Sequence, residues 1–130
     1  MPDSVFAGIN WLLDKIAKYS YKQREDVMNQ IREAQAHIFK ALGHPSRLIM
    51  LAALRDGEKC VCDLQALVGL DMSTVSKHLS VLHAAGIVDK EKRGTNIYYR
   101  LTLCCLETFL ACTEDAIRRR LAAKAKLLED

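Results

Sequence analysis

The hydrophobic period of the chain changes from helical to extended at Gly86, and that change restricts the folds open to it. On the N-terminal side Val75, Leu79 and Leu82 recur at spacings of four and three, the signature of one apolar helix face. Immediately afterwards Ile87-Val88 begins a strand. A charged tip follows at Lys90-Glu91-Lys92-Arg93-Gly94-Thr95-Asn96, and Ile97-Tyr98-Tyr99-Arg100-Leu101 returns. A two-stranded hairpin is marginal in water by itself, so one of its faces must pack on helices. Those helices lie upstream. Pro45 suits a first helical position, where its missing N–H costs nothing, and Leu48, Leu51, Ala52 and Leu54 form an inward stripe ending before Gly57. A short helix from about Val61 to Val68 turns Leu64 and Leu67 inward, Gly69-Leu70-Asp71 makes a tight turn, and Asp71 can cap the next helix.

The flanks read as helices too. Phe6, Ile9, Leu13 and Ile16, then Val27, Ile31, Ala34 and Ile38, predict one or two amphipathic helices with a break near Tyr19 to Gln23. From about Cys104 to Leu128 a final helix carries Leu106, Phe109, Leu110, Ile117 and Leu121 on its apolar side and Arg118-Arg119-Arg120 on its polar side. The expected organisation is a helical extension over residues 1–35, a central domain over 36–103 and a C-terminal helix over 104–130. The class is mostly α with a small β-hairpin.

The 130 residues suffice for one compact domain with an accessory element and leave little room for a large catalytic α/β architecture. No apolar run approaches the roughly 20 residues that span a bilayer. Met1 to Asn10 contains Asp3 and lacks a basic region followed by an apolar stretch, so a cytoplasmic chain is expected. The charge, 19 Lys+Arg against 16 Asp+Glu, is compatible with a nucleic-acid partner and too small to prove one. His37, His44, His78 and His83 are scattered, and no G-x-S-x-G or H-E-x-x-H string occurs, which argues against an enzyme.

The order short helix, turn, polar-faced helix, basic hairpin is that of a winged helix-turn-helix. A helix fits the major groove, where outward Ser73, Thr74, Ser76, Lys77 and Ser80 can meet phosphates or base edges. Lys90, Lys92 and Arg93 at the hairpin tip can grip a flanking backbone, although Asp89 and Glu91 dilute their charge. The bland alternative is that these polar residues simply face solvent. His78, one turn after Val75 and beside Leu79, fits a packing residue as well as a base reader.

At Leu42-Gly43-His44-Pro45-Ser46-Arg47-Leu48, Glu58-Lys59-Cys60-Val61-Cys62-Asp63-Leu64, Met72-Ser73-Thr74-Val75-Ser76-Lys77-His78-Leu79, Leu82 with Ala85-Gly86-Ile87-Val88, and Gly94 followed by Ile97-Tyr98-Tyr99-Arg100-Leu101, the chain resembles the ArsR/SmtB family of bacterial metal-sensing repressors. The resemblance covers about Ala36 to Asp115. It implies a cytosolic homodimer that binds an inverted-repeat double-stranded DNA operator through paired recognition helices, represses when unliganded and dissociates when an inducer binds. The terminal helices would then form the dimer interface.

Five cysteines without an export signal point to reduced thiols. Cys60-Val61-Cys62 is similar to the paired-cysteine signature of the arsenite-responsive members, which puts arsenite first among inducers, with antimonite, cadmium or lead as other thiophilic ions. Those members commonly add a third cysteine three residues on, where this chain has Gln65. On a regular helix residues two apart point about 200° apart, so one ion can take both thiols only if the helix start distorts or lies partly outside helical geometry. Cys104, Cys105 and Cys112 form a second candidate cluster. Cys105 and Cys112 lie roughly 10 Å apart along a straight helix, too far for one ion, so a soft ion there needs the Cys104–Cys105 pair with Cys112 if the helix begins late, or thiols from both chains of a dimer; Cys112 alone also fits packing. The family's zinc-type site on the last helix falls on Leu103, Cys105, Ala116 and Arg119, which lack its acidic and histidine ligands. A disulfide or persulfide-linked bridge that switches operator affinity without metal is the competing signal, and a DNA-coating protein indifferent to sequence and soft metals is the competing class.

Overall fold

A computed structural model describes residues 2–129, apart from the side chains of residues 2–10 and Tyr19. The chain separates into two compact units, one up to Phe39 and one from Lys40 onward.

The first unit is a single helix, α1 (Pro2–Leu42), whose last residues enter the second unit. The expected break near Tyr19 to Gln23 is absent. No proline or glycine falls between Gly8 and Gly43, so nothing in the backbone stops the helix. Phe6 and Ile9 of the expected stripe lie outside the described side chains; Leu13, Ile16, Val27 and Ile31 are exposed.

In the second unit α2 (Pro45–Leu54) starts as expected, with Pro45 at its first turn and His44 as its cap. It is followed by β1 (Lys59–Cys60), α3 (Val61–Val68), α4 (Met72–Ala84), the strands β2 (Val88–Arg93) and β3 (Asn96–Leu101), and α5 (Leu106–Glu129). The helix-turn-helix is punctuated locally. Gly69 ends α3 at φ 72°, a left-handed conformation that suits glycine, and its N–H returns to the Gln65 carbonyl. The Asp71 carboxylate accepts from the Thr74 N–H at 3.0 Å and opens α4. At the far end Gly86 is again left-handed, and the Ile87 N–H reaches the Leu82 carbonyl at 3.0 Å, which turns the chain from α4 into β2.

The sheet has three strands where the sequence predicts two. β3 is central, antiparallel to β2 with Val88 opposite Leu101 and Arg93 opposite Asn96, and antiparallel to β1 with Cys60 opposite Tyr98. A two-residue strand shows no alternation, so only its pairing reveals it.

The core joins Met50, Leu51 and Leu54 of α2, Leu64 of α3, Val75, Leu79 and Leu82 of α4, Ile87, Val88, Tyr99 and Leu106. Two expectations are corrected. Leu67 faces outward at 57% exposure because the buried side of α3 centres on Leu64, and Leu48 and Ala52 lie off the buried side of α2, beside Leu110 and Ile117 of α5 in a surface groove. The last helix begins two residues later than predicted, after a turn at Cys104 and Cys105. Its Ile117 and Leu121 are exposed, while Arg118 and Arg119 pair with Glu114 and Asp115 one turn back. No described helix is long and apolar enough to cross a membrane.

Because Leu79 has no exposed surface and sits where α2, α3, α4 and the sheet converge, Leu79→Ala leaves a cavity. It should lower unfolding stability by about 3 kcal/mol, read as a lower denaturant midpoint at unchanged slope.

Candidate nucleic-acid interface and thiol site

Burial of Val75, Leu79 and Leu82 turns the other side of α4 to solvent. Ser73, Ser76, Lys77 and Ser80 are exposed together on that side. Thr74 is half-buried and committed to the cap: its hydroxyl donates to Asp71 Oδ1 at 2.6 Å. That bond, with the Thr74 N–H, holds the Asp71 carboxyl below its usual range and keeps it ionised at the positive end of the helix.

The wing divides its charges by face, as a pleated strand must. Lys90 and Lys92 lie on one side of β2, exposed and opposite Tyr99 and Ile97. On the other side Asp89 pairs with Arg100 at 2.8 Å, and Arg93 is gripped by Glu58 and by Glu91, the latter at 2.8 Å, while it lies over the Tyr98 ring. These hydrogen bonds push the Arg93 guanidinium still further toward its charged form and hold the Glu58 carboxyl low. Arg93 is therefore already neutralised by two carboxylates, unlike Lys90 and Lys92. Glu58 stands 35 residues away in sequence, which is why the sequence reading missed it.

His78 is half-buried and points toward α2, with its ring centroid 4.4 Å from that of His44 and its Nδ1 3.3 Å from Arg47. Burial, then the nearby His44 and Arg47, depresses its pKa. His44 and Arg47 were not among the residues expected at the site.

At the start of α3 the geometry resolves the problem posed by two thiols two residues apart. Cys60 is not helical. It is the last residue of β1 and the N-cap of α3, in extended conformation, so its side chain turns back over the first turn, where Cys62 lies. Their Cα atoms are 5.3 Å apart, within disulfide range, and the two are disulfide-bonded. The expectation of free thiols at this pair is corrected accordingly. Cys60 Sγ also accepts from the Asp63 N–H at 3.3 Å, and the Asp63 carboxylate accepts from the Cys60 N–H, a reciprocal cap built around sulfur. The donor atoms of Cys60, Cys62 and Asp63 lie within 4.8 Å of one another, the group of three metal-competent side chains among the described residues. Two sulfurs and one carboxylate fit a thiophilic ion once the disulfide is reduced.

The other cysteines are free and exposed. Cys104 and Cys105 meet at 3.6 Å between sulfurs, and this neighbour raises the Cys105 pKa through its hydrogen bond and charge. Cys112 on α5 does not join them in a three-ligand group.

Comparison with known proteins agrees with this geometry. The family model for bacterial regulatory proteins of the arsR family matches residues 44–90. The biofilm growth-associated repressor of Xylella fastidiosa is 38% identical over 79 residues, which cover 61% of this chain and 68% of that protein. The homodimeric winged helix-turn-helix domain of a possible ArsR-family regulator from Mycobacterium bovis is similar with a TM-score of 0.66 and 27% identity, over 74% of this chain and 89% of that one. Reduced HlyU from Vibrio cholerae is similar with a TM-score of 0.60 and 25% identity, over 68% and 94%. The chain belongs to the ArsR/SmtB family of winged helix-turn-helix transcription regulators and is a DNA-binding protein, not an enzyme.

Proposed function

We propose that this regulator is a homodimeric repressor whose two α4 helices enter successive major grooves of an inverted-repeat operator, and whose grip depends on the oxidation state of Cys60 and Cys62. The observation that carries the proposal is the placement of this pair at the entrance to α3, the helix packed between α2 and α4. Closing the bond there fixes how the chain leaves β1 and enters the helix-turn-helix. The reduced dimer represses, and oxidation lowers its affinity for the operator. With a peroxide as oxidant the two thiols lose two protons and two electrons to form the disulfide, and the peroxide leaves as two waters. The Xylella relative is named a repressor, and the HlyU relative has been solved in a form described as reduced.

Ser73, Ser76, Lys77 and Ser80 face the DNA in this reading, with Thr74 bracing the helix start and Lys90 and Lys92 on the flanking phosphates. The exposed apolar residues of α1 and of α5 supply the interface with a second copy, and the Mycobacterium bovis relative is a homodimer.

A second reading is favoured by the Cys60, Cys62 and Asp63 group: a thiophilic ion, cadmium or lead as readily as arsenite, bound by the reduced pair. Arsenite would still lack a third thiol from α3, since Gln65 occupies that position, and Cys104, Cys105 and Cys112 could bind it only by drawing on the partner subunit.

Four outcomes test these readings, each by fluorescence anisotropy on the chain's own promoter DNA. Peroxide should weaken binding by reduced protein at least tenfold on the order of the couplings typical of switches, with recovery on adding dithiothreitol. Cys60→Ser with Cys62→Ser should bind without responding, and a response to arsenite or cadmium under full reduction, lost in the same variant, would favour the metal reading instead. Ser76→Ala with Lys77→Ala should weaken binding about tenfold and reduce the salt slope by about 1, with the melting temperature unchanged. Glu58→Gln with Glu91→Gln should free Arg93 for phosphate, tightening binding several-fold and steepening the salt slope by about 1.

A further inference from the structure

The Arg47 guanidinium bridges three elements. Its Nε donates to the Ala41 carbonyl at the end of α1, its stem belongs to α2, and its Nη1 lies 3.3 Å from Nδ1 of His78 on α4. A guanidinium can only donate, so Nδ1 of His78 is the acceptor and the ring proton sits on Nε2. The His44 ring packs against His78 at a tilt of 46°, and its own Nδ1 accepts from the Ser46 N–H at 3.1 Å, which fixes that ring as the cap of α2. His78 directly follows Lys77 and sits two residues after Ser76. The side chain that ties α4 inward therefore shares a helical turn with those that face outward.

We propose that Arg47 and His78 are positioning residues for operator binding: the guanidinium that clasps both the Ala41 carbonyl and the His78 ring sets the pose of α4 against α2 and the end of α1, and His78 reads no base. The proposal rests on α4 being the helix that meets DNA.

The clasp carries a pH dependence as a signature. Protonating His78 removes the acceptor that Arg47 uses and adds a positive charge beside Arg47 and His44, the charged and titratable groups that act on it; no carboxylate is among them. The clasped state holds the lower His78 pKa. Its advantage is therefore complete above the ordinary histidine value of about 6.5 and is lost as pH falls below it.

The experiment is an anisotropy titration of the full chain on its own promoter DNA, at constant salt, from about pH 8 to about pH 5.5. Arg47→Lys keeps the charge but not the two-way fork, and His78→Asn offers an amide oxygen close to the place of Nδ1. Arg47→Lys and His78→Ala should each weaken binding about tenfold, evenly across operators with single base changes, and the double variant should lose no more than the worse single one. Wild-type affinity should fall below about pH 6.5. His78→Asn should recover most of the loss caused by alanine and show none of that fall. Additive losses, a His78→Ala loss confined to one base pair, or identical pH profiles for wild type and His78→Ala would each overturn the proposal. If circular dichroism shows Arg47→Lys unfolded, the His78→Ala and His78→Asn pair carries the test by base scan and pH profile. Unchanged affinity in Ser76→Ala with Lys77→Ala would overturn the placement of α4 on DNA itself. A loss there alongside additive Arg47 and His78 effects would overturn the clasp alone.

Discussion

The burial of one face of α4 is the constraint on which the rest of this structure depends. Val75, Leu79 and Leu82 are removed from water where α4 packs against α2, α3 and β2, in the core that also holds Met50, Leu51 and Leu64. Each such side chain is worth roughly 1.5–3 kcal/mol of transfer free energy. Because the helix period then carries Ser73, Ser76, Lys77 and Ser80 to the opposite side, the same burial that stabilises the domain presents its polar surface. In the proposed reading, stability and recognition are two faces of one helix.

Charge is deployed sparingly around that helix. The net charge is small, and much of the positive charge near the wing is tied up by carboxylates: Arg93 by Glu58 and Glu91, Arg100 by Asp89. Exposed ion pairs of this kind add little to stability. Their effect is to decide which cations are available, leaving Lys90 and Lys92 on one face of the hairpin as the uncompensated pair. A regulator that must leave its DNA gains from such restraint, since each added phosphate contact strengthens binding at every sequence alike.

In the proposed reading the thiol pair acts on this arrangement through the backbone. Cys60 belongs at once to β1, where it lies opposite Tyr98 of the wing, and to the cap of α3, where its sulfur accepts an N–H. A chemical change at that sulfur therefore reaches both the wing strand and the helix that supports α4. The Arg47 clasp reaches α4 from the opposite direction, through α2 and the end of α1. Few residues separate the chemistry of either device from the helix it would move.

Much of this was readable in the one-dimensional pattern. The limits of α3, the Asp71 cap, the αL glycines at Gly69 and Gly86 and the turn into the hairpin are local decisions, made within five or six residues by hydrogen bonds and sterics that leave a direct mark on residue choice. The paired cysteines were legible as candidates for the same reason. What tertiary structure alone decided are the relations between distant segments. It paired Cys60 into a strand, because β3 lay alongside. It joined Glu58 to Arg93 across 35 positions and Arg47 to His78 across 31, and it turned Leu67 outward despite its apolar side chain. Periodicity reports which face of an element avoids water; it carries no information on which neighbour covers that face, because that partner is chosen by the packing of the whole core.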